Sequence, residues 1–342
     1  MNIVSIDIGS YSIKCAAATI KGRDCTLTFL GEQELEPGAF RGGDFANQDA
    51  IFASLRELLS NVTLTGSHVV LSVPHCSLLH KTTVEYPGAS LTEAMKMIHW
   101  DYIQYLPESD DSTGVTVAFS GRRHPSEKDT SCVDIVTIPE YLAASYINLF
   151  RDISVDIDEI DLSTFAIEHF YQMVAPSMGE GLIINVGHEY TEFGIIFDET
   201  PDCEGYLEIG VSDVIQNVAE SMDIPFGDAV GVIKGDFLQD ASGDMQEMVD
   251  EEFIKLAERI CRNILKICRE RYNNPRMEFE HCVLAGGASD NLAFNNRVID
   301  RLQTQVVHTT SVPKVHMGPK VEGLAEKGLG KYALAIGLCL RQ

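Results

Sequence analysis

Near the N-terminus the chain reads Ile6-Asp7-Ile8-Gly9-Ser10-Tyr11-Ser12-Ile13-Lys14. A related stretch much later in the chain reads Ile184-Asn185-Val186-Gly187-His188-Glu189-Tyr190-Thr191. Each runs from an apolar strand through a polar residue, an apolar residue and a glycine into a turn with hydroxyl side chains. A glycine-centred turn directs successive backbone N–H groups into one concavity, and such a concavity binds anions. We therefore expect the two turns to face each other and to bind a polyphosphate from both sides.

The length and the charge of the chain indicate its broad class. With 342 residues, the chain is too long for one hydrophobic core, and we expect two lobes. It contains 26 Lys and Arg residues and 51 Asp and Glu residues, which gives a formal net charge of −25. Such a charge favours solubility and argues against nucleic acid and anionic lipid as direct partners.

The cysteines and the hydropathy indicate a cytoplasmic protein. Nine cysteines are present, and no two of them have the C-x-x-C spacing of a zinc or redox site. An odd number of thiols, mostly in apolar segments, is typical of a reducing compartment. We expect neither a signal peptide nor direct insertion into a membrane. Any link to a membrane would then be made by a partner.

The order of the predicted elements divides the chain into two lobes and an insertion. We predict that residues 1–75 form the first part of lobe 1, 76–153 an inserted α+β subdomain, 154–180 the return to lobe 1, and 181–342 lobe 2. Lobe 2 is expected to contain a helical subdomain at about 213–280 and a closing helix at its end. The insertion is recognised by a run of strand, helix, two strands and helix that begins and ends where lobe 1 is interrupted.

Hydrophobic periodicity predicts the elements within these units. In lobe 1 we expect strands at 2–8, 12–20, 25–30, 68–73 and 154–160, and helices at 47–59 and 163–174. In the insertion we expect strands at 81–86, 115–119 and 132–138, a loop at 121–131, and helices at 91–105 and 140–150. In lobe 2 we expect a hairpin at 181–197, a strand at 282–284, a loop at 236–244, and helices at 213–222, 226–234, 251–272, 291–305 and 330–340.

The residue types of the first turn suit a phosphate with a bound metal ion. Asp7 lies where the strand reaches the turn, and a carboxylate there would hold Mg²⁺ through water, because this ion dehydrates reluctantly. Gly9 allows a close approach of the chain, and donors to phosphate would come from Ser10, Tyr11, Ser12 and Lys14. Taken alone, the motif is equally compatible with a plain hairpin turn.

The second turn repeats this pattern with one substitution. Gly187 and Thr191 would again contact phosphate, but Asn185 stands where the first turn has Asp7. An amide orients water, yet it neither neutralises a metal ion nor serves as a general base. If the chain is an enzyme, we therefore expect at most a slow ATPase.

A third glycine turn follows an apolar strand near the C-terminus. Gly286 and Gly287 would allow the backbone to approach a flat ligand such as a nucleoside, although a simple strand-to-helix turn explains them equally well. Arg259 and Arg262, on the non-core side of a long helix, would frame an adenine ring or a ribose. The alternative is that both arginines belong to a solvated basic face.

Five landmarks in order carry a resemblance to a known superfamily. They are residues 6–14 for a first phosphate loop, 69–74 for the entry to an insertion, 157–161 for a connecting strand, 185–191 for a second phosphate loop and 283–288 for an adenosine segment. Residues 332–338 also fit a closing helix. In this order the chain resembles the actin-like ATPases, with their two-lobed, duplicated ribonuclease H-like α/β fold. Within them it is most similar to the PilM-like proteins of type IV pilus assembly.

This resemblance implies a site and a partner. ATP and Mg²⁺ would lie between the lobes, with Asp7 on the metal side and phosphate contacts from Gly9, Ser10, Tyr11, Ser12, Lys14, Gly187 and Thr191. Gly286, Gly287 and Arg262 would flank the nucleoside. PilM-like proteins bind a short cytoplasmic N-terminal peptide of the inner-membrane protein PilN, here in a groove formed by lobe 1 and residues 75–160. Such a protein is cytoplasmic and is recruited to the inner face of the inner membrane. Other components of the pilus motor and self-association remain open as further contacts.

Four functions compete on this architecture. The first is a nucleotide-dependent scaffold of the pilus machinery. The second is a sugar or small-molecule kinase, which requires a catalytic aspartate and a polar sugar pocket. The third is a filament former similar to FtsA, whose chains end in a linker and a membrane-binding helix, whereas this sequence stops at Gln342 just after the expected closing helix. The fourth is a scaffold that has lost its nucleotide.

Overall fold

The computed structural model describes residues 1–340 apart from Arg23, Lys128 and the ranges 75–78, 107–114, 125–126, 177–179, 198–199, 236–242 and 273–277. The strands are β1 Asn2–Ile8, β2 Ser12–Lys21, β3 Asp24–Glu34, β4 Phe40–Arg41, β5 Asp44–Phe45, β6 Ser67–Val73, β7 His80–Pro87, β8 Val115–Arg123, β9 Thr130–Pro139, β10 Glu159–Leu162, β11 Gly181–Val186, β12 Thr191–Phe197, β13 Thr200–Leu207, β14 His281–Gly286, β15 Gln305–Val307 and β16 Val315–Met317. The α-helices are α1 Gln48–Leu59, α2 Leu91–Asp101, α3 Glu140–Asp152, α4 Ser163–Val174, α5 Val211–Met222, α6 Phe226–Lys234, α7 Gly243–Tyr272, α8 Leu292–Leu302, α9 Glu322–Ala325 and α10 Ala333–Leu340. Within this described part of the chain, no helix has both the length and the hydropathy that crossing a membrane requires.

Two large sheets repeat one strand order. The first sheet has the order β10-β6-β1-β2-β3, extended by β16 beside β3, and the second has the order β15-β14-β11-β12-β13. In each, an antiparallel meander of three strands adjoins two parallel strands. The duplication visible in the two turns therefore extends to the entire sheets. The hairpins β1–β2 and β11–β12, which carry the two turns, occupy equivalent places.

Two helices pack between the sheets. Residues of α4 and α10 share one apolar core with Ile3 of the first sheet and Ile183 of the second. The two helices are in close contact, since a Cβ on Gly337 would lie 1.9 Å from the Ala166 carbonyl oxygen. The Ser5 hydroxyl donates a hydrogen bond to the Ala335 carbonyl at 2.6 Å, which attaches α10 to β1. These helices therefore connect the two halves.

The end of the chain returns to the first sheet. Strand β16 pairs in parallel with β3, and α10 packs on β1 and β2. Residues 181–342 are predicted from sequence as lobe 2, and nothing in the pattern indicates this return. The reason is that β16 has three residues, too few for a periodicity to be recognised.

A third, smaller sheet follows the first interruption of lobe 1. It has the order β7-β9-β8, and Ala94 and Ile98 of α2 pack on its residues Val133 and Ile135. Strands β8 and β9 extend well into the range predicted as a loop, and α2 ends at Asp101, where a 3₁₀ turn at Tyr102–Tyr105 replaces the last predicted α-helical turn. The boundaries proposed for an inserted subdomain remain a prediction.

The strand predicted at 154–160 is wrong in position. Strand β10 covers Glu159–Leu162. Ser154 has φ +60°, a left-handed conformation that a strand does not accommodate. The Asp158 carboxylate accepts a hydrogen bond from the Val69 N–H at 2.7 Å, and the pairing of β10 with β6 runs from Glu159 to Leu162.

Two predicted helix ends also differ. The helix predicted at 291–305 ends at Leu302 because Gln303 adopts φ 52°, and the chain then enters β15. The long helix begins at Gly243 rather than at 251, so the end of the predicted loop at 236–244 is helical. The remainder of that loop, 236–242, lies outside the described residues.

Candidate functional site

A cavity lined by both large sheets brings together most of the residues predicted to bind nucleotide. Its volume is about 310 Å³. The predicted residues that line it are Asp7, Gly9, Ser10, Tyr11, Ser12, Lys14, Gly187, Gly286 and Gly287. They lie in or directly beside three turns, which follow β1, β11 and β14. Since β1 and β11 are equivalent strands of the two sheets, the duplication places the first two turns at the same cavity.

The first two turns have the same backbone geometry. The Gly9 N–H donates to the Ser12 carbonyl at 3.0 Å, and the Gly187 N–H donates to the Tyr190 carbonyl at 2.8 Å. A Cβ on Gly9 would lie 3.1 Å from the Ser12 oxygen, and one on Gly187 would lie 2.8 Å from the Tyr190 oxygen. Each turn therefore requires its glycine for its own closure. The N–H groups of both glycines are therefore already used within the turns.

The third turn is fixed against the second. Gly286 has φ +80°, and a Cβ there would lie 2.3 Å from the Val186 carbonyl oxygen. That carbonyl accepts a hydrogen bond from the Gly287 N–H at 2.8 Å. Helix α5 begins at the same place, because the Val211 N–H donates to the Gly187 carbonyl at 3.0 Å. The helix N-terminus, the positive end of its dipole, therefore lies beside the second turn.

Asp7 lines the cavity near the end of β1. Its Oδ1 accepts a hydrogen bond from the Ser72 hydroxyl at 3.3 Å. Burial raises the pKa of the Asp7 carboxyl, while the nearby Lys14 charge opposes the shift. A carboxylate desolvated in this way gains from a cation, and its oxygens are the ligand type that Mg²⁺ prefers.

Glu32 is a member of the site that the sequence pattern does not indicate. Its carboxylate accepts a hydrogen bond from Ser12 at 2.7 Å, lies 3.9 Å from the Lys14 Nζ, and pairs with Lys331. Burial alone would raise the pKa of Glu32, but the charge of Lys14 and the bonds from Lys331 and Ser12 outweigh it and lower the pKa. Lys14 stands opposite Glu32 in the β2–β3 register. A predicted β3 that continued to Glu34 would have revealed this pair.

A further carboxylate reaches the cavity from β12, which pairs with β11 in the second hairpin. Glu192 stands opposite Asn185 in the β11–β12 register and accepts a hydrogen bond from its Nδ2 at 3.1 Å. The hydroxyl of Ser163, the first residue of α4, donates to the other carboxylate oxygen of Glu192. All three residues line the cavity.

Side chains from the two halves meet across the cavity. The Lys234 Nζ of α6 lies 2.5 Å from the Glu34 carboxylate and 5.2 Å from the centre of the Tyr11 ring. The Tyr11 ring in turn lies 5.3 Å from the His188 ring. Burial lowers the pKa of His188 to about 4, so this imidazole is neutral at pH 7. The contact between the turns is therefore aromatic, and the ion pairs Lys234–Glu34 and Arg41–Glu189 reinforce it.

Two predicted site residues lie elsewhere. Thr191 is fully buried, and its hydroxyl donates to the Ile209 carbonyl at 2.7 Å, so it supports the turn from behind. Arg262 is exposed on α7 and does not line the cavity. Its neighbour Arg259 forms an ion pair with Asp213 at 2.9 Å. The interpretation of these arginines as a solvated face fits their positions better.

One further cluster of potential metal ligands occurs among the described residues, in the small sheet. Glu85, His124 and Cys132 bring their ligand atoms within 4.8 Å of one another. However, the His124 Nδ1 accepts a hydrogen bond from the Glu127 N–H at 2.9 Å. The ring proton of the neutral imidazole then resides on Nε2, the atom that faces Glu85. A metal ion would have to displace that proton, so the geometry disfavours a metal centre there.

The same fold occurs in solved structures with low sequence identity. A structure titled PilM-PilN type IV pilus biogenesis complex aligns with a TM-score of 0.77 at 19% identity, over 99% of this chain and 98% of that chain. The ethanolamine utilization protein EutJ from Carboxydothermus hydrogenoformans aligns with a TM-score of 0.58 at 11% identity, over 99% and 89%. A nucleotide-free diol dehydratase-reactivating factor aligns with a TM-score of 0.53 at 11% identity, over 99% of both chains. These similarities confirm the predicted actin-like ATPase fold.

Comparison of sequences identifies the family. No curated protein matches this chain. The family model described as type IV pilus assembly protein PilM matches residues 5–342. That range includes all three turns and both large sheets apart from the first three residues of β1. The chain therefore belongs to the PilM family of type IV pilus assembly proteins.

Proposed function

We propose that this protein is a nucleotide-dependent scaffold of type IV pilus assembly. In this proposal it binds ATP with Mg²⁺ in the cavity, and it binds the short cytoplasmic N-terminal peptide of an inner-membrane PilN-like protein. The observation that carries the nucleotide part is the meeting of three glycine turns at one cavity. Membership of the PilM family supports the pilus part.

The lining of the cavity suits the two ends of a nucleotide. Turn tips and Lys14 would face the phosphates, and Asp7 would hold the metal ion, which supplies charge neutralisation when bound. Apolar side chains of α5 and α6 line another part of the cavity beside Gly287, namely Val211, Ile215, Val230 and Ile233. An apolar wall of this kind suits a flat base.

Substitution of Lys14 tests nucleotide binding. Loss of a hydrogen bond to a charged group costs about 1.5–3 kcal/mol, so Lys14→Gln should weaken binding of a fluorescent ATP analogue about 10- to 100-fold. Lys21 lies on the same strand and is exposed, which makes Lys21→Gln the matched control. Equal affinities of the two variants would contradict the proposed phosphate contact.

The proposed partner surface lies in the first lobe and residues 75–160. Among the described residues nine large apolar side chains are exposed, and six of them fall in this range: Leu91, Met97, Trp100, Ile103, Tyr141 and Ile147. The first four lie in α2 and the 3₁₀ turn that follows it, and exposed apolar side chains on one element are candidates for an interaction site. The solved PilM-PilN complex supports a PilN-like partner. Binding that partner would recruit the protein to the inner face of the inner membrane.

Trp100 provides the test of this surface. Its side chain is 85% exposed, and Leu292 on α8 is 75% exposed. We expect Trp100→Ala to weaken binding of a synthetic PilN N-terminal peptide in calorimetry, because aromatic anchors contribute most to such interfaces. Leu292→Ala should have no effect. An identical peptide affinity for both variants would place the partner elsewhere.

The predicted weakness of hydrolysis also remains a proposal. Asn185 cannot accept a proton from water, so we expect the protein to turn ATP over slowly if at all. Release of phosphate by purified protein, measured with a coupled assay, tests this expectation. A rapid turnover would contradict it.

A further inference from the structure

Glu192 occupies a chemically unusual place in the second hairpin. It is 6% exposed, and burying a carboxylate is costly unless hydrogen bonds or a cation compensate. The hydrogen bonds described above, from the Asn185 amide and the Ser163 hydroxyl, each reach a different oxygen of this carboxylate. Carboxylates that ligate metal ions are commonly oriented by such outer partners.

The cavity as a whole carries an excess of negative charge. The lining includes five carboxylates and three lysines. The carboxylates are Asp7, Glu32, Glu34, Glu189 and Glu192, and the lysines are Lys14, Lys234 and Lys331. His188 is neutral at pH 7 and Arg41 pairs with Glu189 at 3.1 Å, so the formal balance is one negative charge. Such a cavity repels a polyphosphate. One divalent cation would cancel the excess, and nucleotide binding should then depend on the metal ion.

We infer that Glu192 replaces residue 185 as the carboxylate that the second half presents to the Mg²⁺ of a bound nucleotide. Asn185 then acts as a positioning residue, because its amide orients Glu192 instead of facing the metal ion itself. The carboxylate has moved across one strand pair, from β11 to β12. This inference rests on the proposed binding of nucleotide and assigns the metal side of that site.

The test compares nucleotide affinity with and without the metal ion. Binding of a fluorescent ATP analogue is measured in Mg²⁺ and in EDTA for the wild type, Glu192→Gln and Glu208→Gln. Glu208 is exposed and outside the cavity, so its variant removes the same charge harmlessly. Loss of an outer partner of a metal ligand typically costs about 10- to 100-fold, so we expect Glu192→Gln, which removes the ligand itself, to lose at least about 10-fold in affinity in Mg²⁺ and to lose none in EDTA. Glu208→Gln should retain both values.

A double variant separates this role from a structural one. Asn185→Asp with Glu192→Gln moves the carboxylate back to β11 and should recover most of the affinity in Mg²⁺. Binding of Mn²⁺ in the presence of ATP, followed by electron paramagnetic resonance, should be weaker in Glu192→Gln than in the wild type and should recover in the double variant. Thermal unfolding verifies that each variant is folded.

Two negative outcomes have different meanings. Wild-type affinity of Glu192→Gln in Mg²⁺ would overturn the inference and leave nucleotide binding intact. Absence of any affinity in the wild type, in Mg²⁺ and in EDTA, would overturn the proposed function and this inference together.

Discussion

Replacement of Gly286 by alanine tests whether the third turn is held as tightly as the structure indicates. The backbone there has φ +80°, and the new Cβ would lie 2.3 Å from the Val186 carbonyl oxygen and 2.8 Å from the Asn185 Oδ1. Both contacts are well inside van der Waals distance. Relief requires β14 to shift away from β11, and these strands pair in register at Val186 and Gly286.

The cost of Gly286→Ala has two parts. A left-handed conformation costs an alanine about 1–2 kcal/mol, and overpacking of a well-packed region costs about 1–3 kcal/mol. We therefore expect the free energy of unfolding to fall by about 2–5 kcal/mol. This would be a large loss, because a protein's total stability is about 5–15 kcal/mol.

Gly287→Ala is the matched control for this prediction. Its Cβ would lie 3.8 Å from the same carbonyl oxygen and 3.9 Å from a methyl group of Val211, which are ordinary contacts. We expect Gly287→Ala to change the free energy of unfolding by no more than about 0.5 kcal/mol. Urea unfolding followed by circular dichroism and by fluorescence gives the midpoints, and coincidence of the two probes validates the free energies. Equal stability of the two alanine variants would refute the reasoning.

Three further predictions concern charged groups. Burial raises the pKa of Glu168 to about 7, although the Lys81 charge opposes the shift. The folded state therefore holds a proton that the unfolded state releases, and the free energy of unfolding falls as the pH rises from about 4.5 to 7. Glu168→Gln should flatten this dependence on pH in urea titrations at several pH values. Lys234→Met should lower the free energy of unfolding by less than about 1 kcal/mol in the same assay, because the Lys234 side chain is 38% and the Glu34 side chain 56% exposed. A larger loss of stability would contradict the view of this ion pair as a surface contact. Asp7→Asn removes a buried charge, so it should raise the thermal unfolding temperature of the protein without ligand. It should also abolish the further rise that Mg·ATP produces in the wild type. A variant that ATP still stabilises fully in Mg²⁺ would argue against Asp7 as the metal-side carboxylate.

Local geometry explains which parts of the site were predictable from the sequence. Gly9 and Gly187 each close a turn through a hydrogen bond to the residue three positions later. Such a turn depends on a few adjacent residues, so its sequence pattern is visible without the fold. The same holds for the apolar strands that precede the turns. The two copies together then predict a duplicated fold, which the solved structures confirm.

The remainder of the site depends on contacts between distant residues. Lys331 reaches Glu32 from the far end of the chain, and only the return of the C-terminal segment to the first sheet makes this pair possible. Glu192 becomes a candidate only when the register places it opposite Asn185. Thr191 illustrates the opposite case: the sequence pattern predicts a phosphate contact, but its hydroxyl donates to the Ile209 carbonyl. Hydrogen-bond partners of this kind are fixed by packing and not by spacing.

The distribution of strong and weak contacts bears on how a nucleotide would control a scaffold. The pairs across the cavity, Lys234 with Glu34 and Arg41 with Glu189, each have a substantially exposed partner, and such pairs contribute about 0–1 kcal/mol. The helices α4 and α10 in contrast approach each other closely, since a Cβ on Gly337 would lie 1.9 Å from the Ala166 carbonyl oxygen. Opening the cavity would therefore cost little while the connection between the halves persists. A ligand that favours the closed cavity by about 3 kcal/mol would shift the equilibrium between open and closed cavities by about a hundredfold.

The small sheet would move with the second sheet, because Lys81 of β7 pairs with Glu204 of β13 in the second sheet. Closure around a nucleotide would in this way change the orientation of the region that carries the exposed Trp100.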